Sequence, residues 1–265
     1  MIRVDHYRWQ PADRISRPLT AVRVVEHRRA DCGRRVILVS DGTAQYALKA
    51  HRLNSLRKMI LARWGRSVLG HESSMLRHAA NRGLPVPACH ARGEVRACGM
   101  PVEQALLLEW FDGTPLRQII IGAARNKDVE AARGAIAVLV SMMARIRLSG
   151  FADRDFALAQ ILVAADAPPA EGALWIDLEA TMFSDAEDPV GTAIMTATAL
   201  SSVWNATCDA ELFRHTFNAI MHQVPAPKGG WATIIDRVNG AVYKRVDKAI
   251  RHDRVDAPAP VLKAG

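Results

Sequence analysis

Apolar and polar side chains alternate through residues 20–27 (TAVRVVEH), the pattern of a strand with one buried face. A charged turn is predicted at residues 28–33 (RRADCG), followed by strand-like runs at 35–40 (RVILVS) and 44–50 (AQYALKA). Asp41-Gly42 stands between those two runs, and Asp-Gly in that place is a strong hairpin signal. Three antiparallel strands are therefore expected within the first fifty residues. The period then changes. A basic stretch spans residues 52–66, and residues 70–82 carry apolar positions at helical spacing until Gly83-Leu84-Pro85-Val86-Pro87 ends the helix. Residues 105–110 (ALLLEW) form a short continuous apolar run, as a buried strand does, and Asp112-Gly113-Thr114-Pro115 breaks it. Beyond that break the pattern predicts a helix over 129–148, short strands at 160–164 and 173–178, and a mostly helical stretch over 191–250. The tail, 256–265, contains Pro258 and Pro260 and is expected to fray. The order predicts an α+β chain of two lobes. Residues 1–111 form a small antiparallel sheet with a helix, and residues 112–265 are mainly helical.

Composition narrows the function classes. The chain has 265 residues, 49% hydrophobic and 23% charged, which excludes a disordered or collagen-like polymer. Its most apolar segment, residues 134–146, is too short to span a bilayer and contains Arg145, and the first residues lack a secretory leader's apolar core. A cytoplasmic location follows as the expectation. The 35 Lys and Arg against 27 Asp and Glu leave a net charge of +8. That excess suits anionic partners: phosphorylated substrates, an anionic membrane face or nucleic acid. Low aromatic content, 6%, and the lack of a helix-turn-helix, zinc-finger or RNP-type signature argue against nucleic acid. Cys32, Cys89, Cys98 and Cys208 form no CxxC pair and are expected to be buried free thiols. The nine histidines show no HExxH pattern, so zinc chemistry is set aside.

Four positions carry candidate chemistry. Lys49 closes an otherwise apolar strand, where a buried cation needs a partner and an exposed one would snorkel into water. Glu72, in the helix that follows, is the partner at hand, although alone it reads as a surface glutamate. Asp155 lies in a polar loop before the apolar run Ile161-Leu162-Val163, where a capping role fits equally well. Asp177 ends the run Leu174-Trp175-Ile176 and would present its carboxylate at a strand end. Phosphoryl transfer needs a cation for nucleotide phosphates, a carboxylate for the attacking hydroxyl and oxygen ligands for magnesium. The four residues stand in the order that such a site requires.

Tyr46-Ala47-Leu48-Lys49 resembles the V-A-I-K strand of protein kinases, and residues 151–163 resemble the H-R-D-L-x-x-x-N catalytic loop. In that loop Arg154-Asp155 is kept, Asp153 stands for the histidine, and Gln160 stands for the metal-binding asparagine. Asp177-Leu178-Glu179 resembles the D-F-G region in the variant with an acid at its third position. Over residues 20–217, and most clearly over 46–93 and 151–181, the chain resembles the bacterial lipopolysaccharide kinases, which phosphorylate heptose or Kdo sugars of the inner core. Arg63-Trp64-Gly65-Arg66-Ser67, Glu72 and Gly83-Leu84-Pro85-Val86-Pro87 carry that likeness.

The resemblance implies a two-lobed protein-kinase-like fold and transfer of phosphate from ATP, with Mg2+, to a sugar of an anionic glycolipid. It implies Asp155 as the catalytic carboxylate and Lys49 and Glu72 as the phosphate-binding pair. Backbone groups of Glu109 and Trp110 would lie against adenine, and Gln160 and Asp177 would hold the metal. Contact with the inner leaflet is expected through residues 52–66, which mix Arg57, Lys58, Arg63 and Arg66 with Leu56, Met59, Ile60, Leu61 and Trp64. Residues 243–254 (YKRVDKAIRHDR) are a second such segment or a solvated helix face. Alternatives are another small-molecule or protein kinase of this fold, and a nucleotide-binding scaffold without turnover, to which Asp153 and Gln160 point.

Overall fold

The alternating residues at the start of the chain fold as sheet. β3 (Arg34–Ser40) and β4 (Gln45–Arg52) pair antiparallel around the Asp41-Gly42 turn, with Ser40 opposite Gln45. Asp41 Oδ1 accepts the Ala44 and Thr43 N–H groups and the Thr43 hydroxyl, each at 2.8 Å, so its carboxyl is held well below the usual carboxylate range. The computed structural model describes residues 7–11, 23–31, 33–164, 172–252, 255 and 257–263. The chain divides into two compact units, Met1–Phe111 and Asp112–Gly265.

β2 (Arg23–Asp31) pairs with β3 as far as Asp31 opposite Arg34, so residues 28–31 are strand and not the expected charged turn. β2 is one of the two edge strands of the sheet. Cys32 lies outside the described residues. Two more strands have no apolar period: β1 (Arg8–Pro11) and β5 (Cys89–Ala97). β6 (Met100–Glu109) extends the predicted 105–110 strand backwards, because β5 supplies a ladder partner along its length. The six strands run in the order β1-β5-β6-β4-β3-β2. β1 lies against β5 with Trp9 opposite Gly93, where a Cβ would stand 2.9 Å from the Trp9 ring. Tyr7 donates to Glu103, which also accepts from Arg35 at 2.5 Å.

Strand alternation sorts this sheet into two faces. Ile37, Val39, Leu48, Ala50, Ala105 and Leu107 form one buried cluster with Tyr7. Lys49, opposite Val36 and Leu106 in the ladders, projects from the other face. α1 (Leu56–Arg63) and α2 (Val68–Asn81) follow, and α2 packs on β5 and β6 through Leu69, Met75, Leu76 and Ala79. Ser67 Oγ accepts the Gly70 N–H at 3.0 Å and starts α2 two residues before the predicted helix.

The second unit begins with β7 (Gly113–Pro115) and α3 (Leu116–Arg125), then α4 (Val129–Leu148), which spans the predicted helix. β8 (Phe151–Asp153), β9 (Ile161–Ala164), β10 (Ala173–Trp175) and β11 (Thr181–Phe183) are short. They make a three-stranded sheet, β10-β9-β7, and a two-stranded one, β11-β8. α5 (Pro189–Thr207), α6 (Ala210–Gln223) and α7 (Ile235–Ile250) complete the unit. They bury Leu200, Trp204, Phe213, Phe217, Val238 and Val242 together.

The tail does not fray. Val255 and Leu262 belong to that core, Trp204 Nε1 donates to Ala257 O at 2.9 Å, and Asn239 brackets Leu262 at 3.0 and 2.9 Å. Prolines deny this segment a helix or a ladder, but side-chain partners satisfy its backbone instead. Leu262→Ala is expected to cost about 2–4 kcal/mol in urea unfolding. A loss below about 0.5 kcal/mol would mean that the tail is not docked in solution. Cys98 and Cys208 are exposed and Cys89 is half-buried, against the expectation of buried thiols. No helix among the described residues is long and apolar enough to cross a membrane.

Candidate active site

In the first unit the structure pairs Lys49 and Glu72. Lys49 Nζ lies 2.9 Å from Glu72 Oε1 and 2.8 Å from Oε2, and the glutamate is 1% exposed. A carboxylate so deeply withdrawn from water requires a cation beside it. Glu109 ends β6 on the same sheet, with Trp110 next to it. The Glu109 N–H is spent on Ala88 O at 2.8 Å, so what this residue offers a ligand is its carbonyl.

In the second unit, residues 153–160 form a loop fastened from several sides. Asp153 is fully buried at the end of β8, and its Oδ1 accepts the Asp155 N–H at 2.8 Å. Arg154 O accepts Thr198 Oγ1 at 3.2 Å and Arg245 Nη2 at 2.8 Å, while Leu158 N–H donates to Ser202 Oγ at 3.3 Å. Asp155 itself stands exposed. The loop backbone is thus fixed while its carboxylate faces outward.

Gln160 is buried and ties this loop to the next. Its Oε1 accepts the Ala157 N–H at 3.3 Å, and its Nε2 donates to Asp177 O at 3.4 Å. Asp177 has a left-handed backbone, φ 65°, which is uncommon outside glycine, asparagine and aspartate and is found where function constrains a turn. Carboxylate oxygens of Asp177 and Glu179 lie within 4.8 Å of one another. Two carboxylates that close supply hard oxygen donors of the kind that suits magnesium, whereas Gln160 turns its amide nitrogen toward Asp177 and its oxygen toward Ala157. Asp155, Gln160 and Asp177 are therefore brought together in one loop system.

Asp153 occupies the place of the motif's histidine. Burial above all pushes its carboxyl up to about 7, and the charges of Asp155 and Asp177 push in the same direction. A folded pKa above the unfolded value favours the fold below about pH 4, and that contribution is lost as pH rises through 7. Asp153→Asn keeps an oxygen for the Asp155 N–H and removes the titration. The variant should gain on the wild type between pH 4 and 7, by a few kcal/mol at most, with a constant difference above that. Urea midpoints at pH 4.5, 6 and 8 measure this, and parallel pH profiles would show that Asp153 does not titrate there.

Sequence reasoning missed Arg147. It is 0% exposed, and its guanidinium donates to Phe151 O at 2.9 Å, Ser184 Oγ at 3.0 Å, Ala186 O at 2.9 Å and Asp188 O at 3.3 Å, and also to Asp185 O. It thereby joins the end of α4 to the turn that opens α5. The signal was present in the spacing, since Val140, Met143 and Arg147 fall on one buried helical stripe.

No protein-family model and no curated protein sequence matches the chain. Solved structures do. The structure of WaaP in complex with acyl carrier protein matches with a TM-score of 0.57 at 17% identity, covering 85% of this chain and 88% of that one. The BubR1 kinase domain matches with a TM-score of 0.51 at 9% identity, covering 70% and 61%. Both likenesses concern the fold, which is protein-kinase-like, α+β, with an antiparallel-sheet first part and a mainly helical second part.

Proposed function

We propose that this protein-kinase-like chain transfers phosphate from ATP to a sugar hydroxyl, heptose or Kdo, of the lipopolysaccharide inner core. The observation that carries the phosphotransferase reading is the Lys49–Glu72 pair, a cation drawn from a strand to a glutamate buried in a helix. Such a pair is costly to bury, and a phosphate-binding lysine has a chemical need for it. The likeness to WaaP supports the fold, and the choice of acceptor rests on the resemblance of residues 46–93 and 151–181 to the lipopolysaccharide kinases.

In this reading Lys49 binds the nucleotide phosphates, and Glu72 keeps its ammonium in position. The Glu109 carbonyl and the Trp110 backbone take the adenine edge. Gln160 and Asp177, with Glu179 beside Asp177, hold magnesium, and the Gln160 oxygen keeps a second lone pair beyond its bond to Ala157. The magnesium complex of ATP supplies the γ-phosphoryl group and offsets its charge. Asp155 orients the sugar hydroxyl and takes its proton as the sugar oxygen accepts the phosphoryl group and ADP departs.

An inner-leaflet contact fits α1. Leu56 and Trp64 are 67% and 72% exposed, Ile60 is exposed between them, and Arg57, Lys58, Arg63 and Arg66 surround them. An exposed apolar stripe bordered by cations suits an anionic membrane face, with the protein on its cytoplasmic side. The second reading, a nucleotide-binding scaffold, draws on Asp153 and Gln160, which stand where the catalytic-loop motif has histidine and asparagine, and on the burial of Asp153.

Transfer of labelled γ-phosphate from ATP to purified lipopolysaccharide core, with and without Mg2+, tests the proposal. Magnesium-dependent labelling of the core is the expected result. ATP binding without labelling of any core preparation would favour the scaffold, and no ATP binding would overturn the kinase reading altogether.

A further inference from the structure

The basic residues of α7 line a cleft within the second unit. Its volume is about 740 Å3, within the range of roughly 300–1,000 Å3 usual for small-molecule sites. Arg117 of α3, Arg245 and Lys248 of α7 and His252 just beyond it contribute side chains, and among the described residues no acidic side chain lines the space. Like charges gathered around one hollow repel each other unless an anion enters it.

The cleft reaches the Asp155 loop. Ala157 and Ala159 of that loop line it, and their small side chains leave room for a ring against the backbone. Arg245 is fastened to Arg154 O at 2.8 Å, so this cation is fixed one residue from Asp155. On the wall formed by α5, Asn205 Oδ1 is buried and makes no hydrogen bond among the described residues.

We infer that this cleft is the acceptor site and takes a polyhydroxylated ring bearing an oxyanion, phosphate or carboxylate. The inference rests on the proposed phosphotransferase reading for its placement beside Asp155. Arg117, Lys248 and His252 meet the oxyanion, and Asp155 waits at the loop for the hydroxyl to be phosphorylated. The basic segment at residues 243–254 thus faces a ligand inside the unit through Arg245, Lys248 and His252, while Tyr243 stays exposed.

Titration calorimetry of the full chain with mannose 6-phosphate, glucuronate and methyl mannoside tests it. The anionic sugars should bind at least tenfold more tightly than the neutral one, and the tighter of the two identifies the oxyanion. The double variant Arg117→Gln, Lys248→Gln changes two exposed side chains. It should weaken the anionic sugars about tenfold or more and leave ATP binding unchanged. Ala159→Leu, which keeps every charge and narrows the cleft beside the loop, should weaken them as well. Equal binding of neutral and anionic sugars, no binding of either, or anion binding unchanged in the double variant overturns the inference. Should anionic sugars bind here while no phosphate reaches lipopolysaccharide core, the cleft stands as an anionic-sugar site and its role as an acceptor site falls with the kinase reading. Should core be phosphorylated with an unchanged KM in the double variant, the site falls and the kinase reading stands.

Discussion

Asp155→Ala is expected to lower phosphate transfer by about 10^3-fold while leaving the fold intact. The carboxylate is exposed, and the loop is held by other groups: the Asp155 N–H on Asp153, Thr198 and Arg245 on Arg154 O, and Ser202 on Leu158. Removing the side chain therefore takes away the proton acceptor and none of these fastenings. KM for ATP should stay near its wild-type value, because Lys49 and Asp177 are untouched. Asp177→Asn provides the complementary case. Asparagine tolerates the left-handed backbone at that position, so the turn survives while the charge that would hold magnesium is lost. Activity should fall by a similar factor and recover in part at high Mg2+ concentration. Single-turnover transfer and circular dichroism of both variants decide the matter. Wild-type turnover in Asp155→Ala would remove this loop from the chemistry.

Arg147→Met is expected to be the most destabilising single change in the second unit, by on the order of 3–5 kcal/mol. The guanidinium serves four carbonyls and the Ser184 hydroxyl, and it lies against Gly191, where a Cβ would come within 2.9 Å of Arg147 Nη1. Methionine would fill much of the volume and leave the buried Phe151 carbonyl without its donor and the half-buried 184–188 turn without its shared anchor. The effect should reach α5, because Asp188, whose carboxylate caps that helix on the Val190 and Gly191 N–H groups at 3.0 Å each, sits in the same turn. Arg147→Lys keeps the charge but not the fork, and should fall between the two. Urea unfolding gives the scale, and a change below about 1 kcal/mol for Arg147→Met would mean that the turn is held by other groups.

Both variants illustrate what was legible beforehand. The residues of the catalytic reading could be picked out because they follow one another in the order of the kinase motifs they resemble. Lys49 was expected to close its strand, which in fact runs on to Arg52, while Asp155 precedes an apolar run and Asp177 ends one. Arg147 was passed over because an arginine in an apolar helix looks the same whether it reaches solvent or turns inward. The five acceptors that make its burial tolerable lie at residues 151 and 184–188.

The strands of the first unit divide in the same way. β3 and β4 were predictable from alternation and the Asp-Gly turn, both local properties. β1, β5 and the early part of β6 were not, because their residues are held by ladder partners. A backbone hydrogen bond carries no trace of the side chain that accompanies it. The tail was misjudged for a related reason, since prolines report what a segment cannot form and say nothing of Trp204 and Asn239 waiting for its backbone.

By itself the sequence determined the two-part α+β order, the basic charge and the succession Lys49, Glu72, Asp155, Asp177, all of which depend on periodicity and on residue type. Tertiary structure alone decided that Lys49 meets Glu72, that Asp153 is buried and Asp155 is not, and that Gln160 bridges to Asp177. It also gathered Arg117 with Arg245 and Lys248 around one cleft. These are matters of distance between residues far apart in the chain, and such distances are set by packing, which no local pattern encodes.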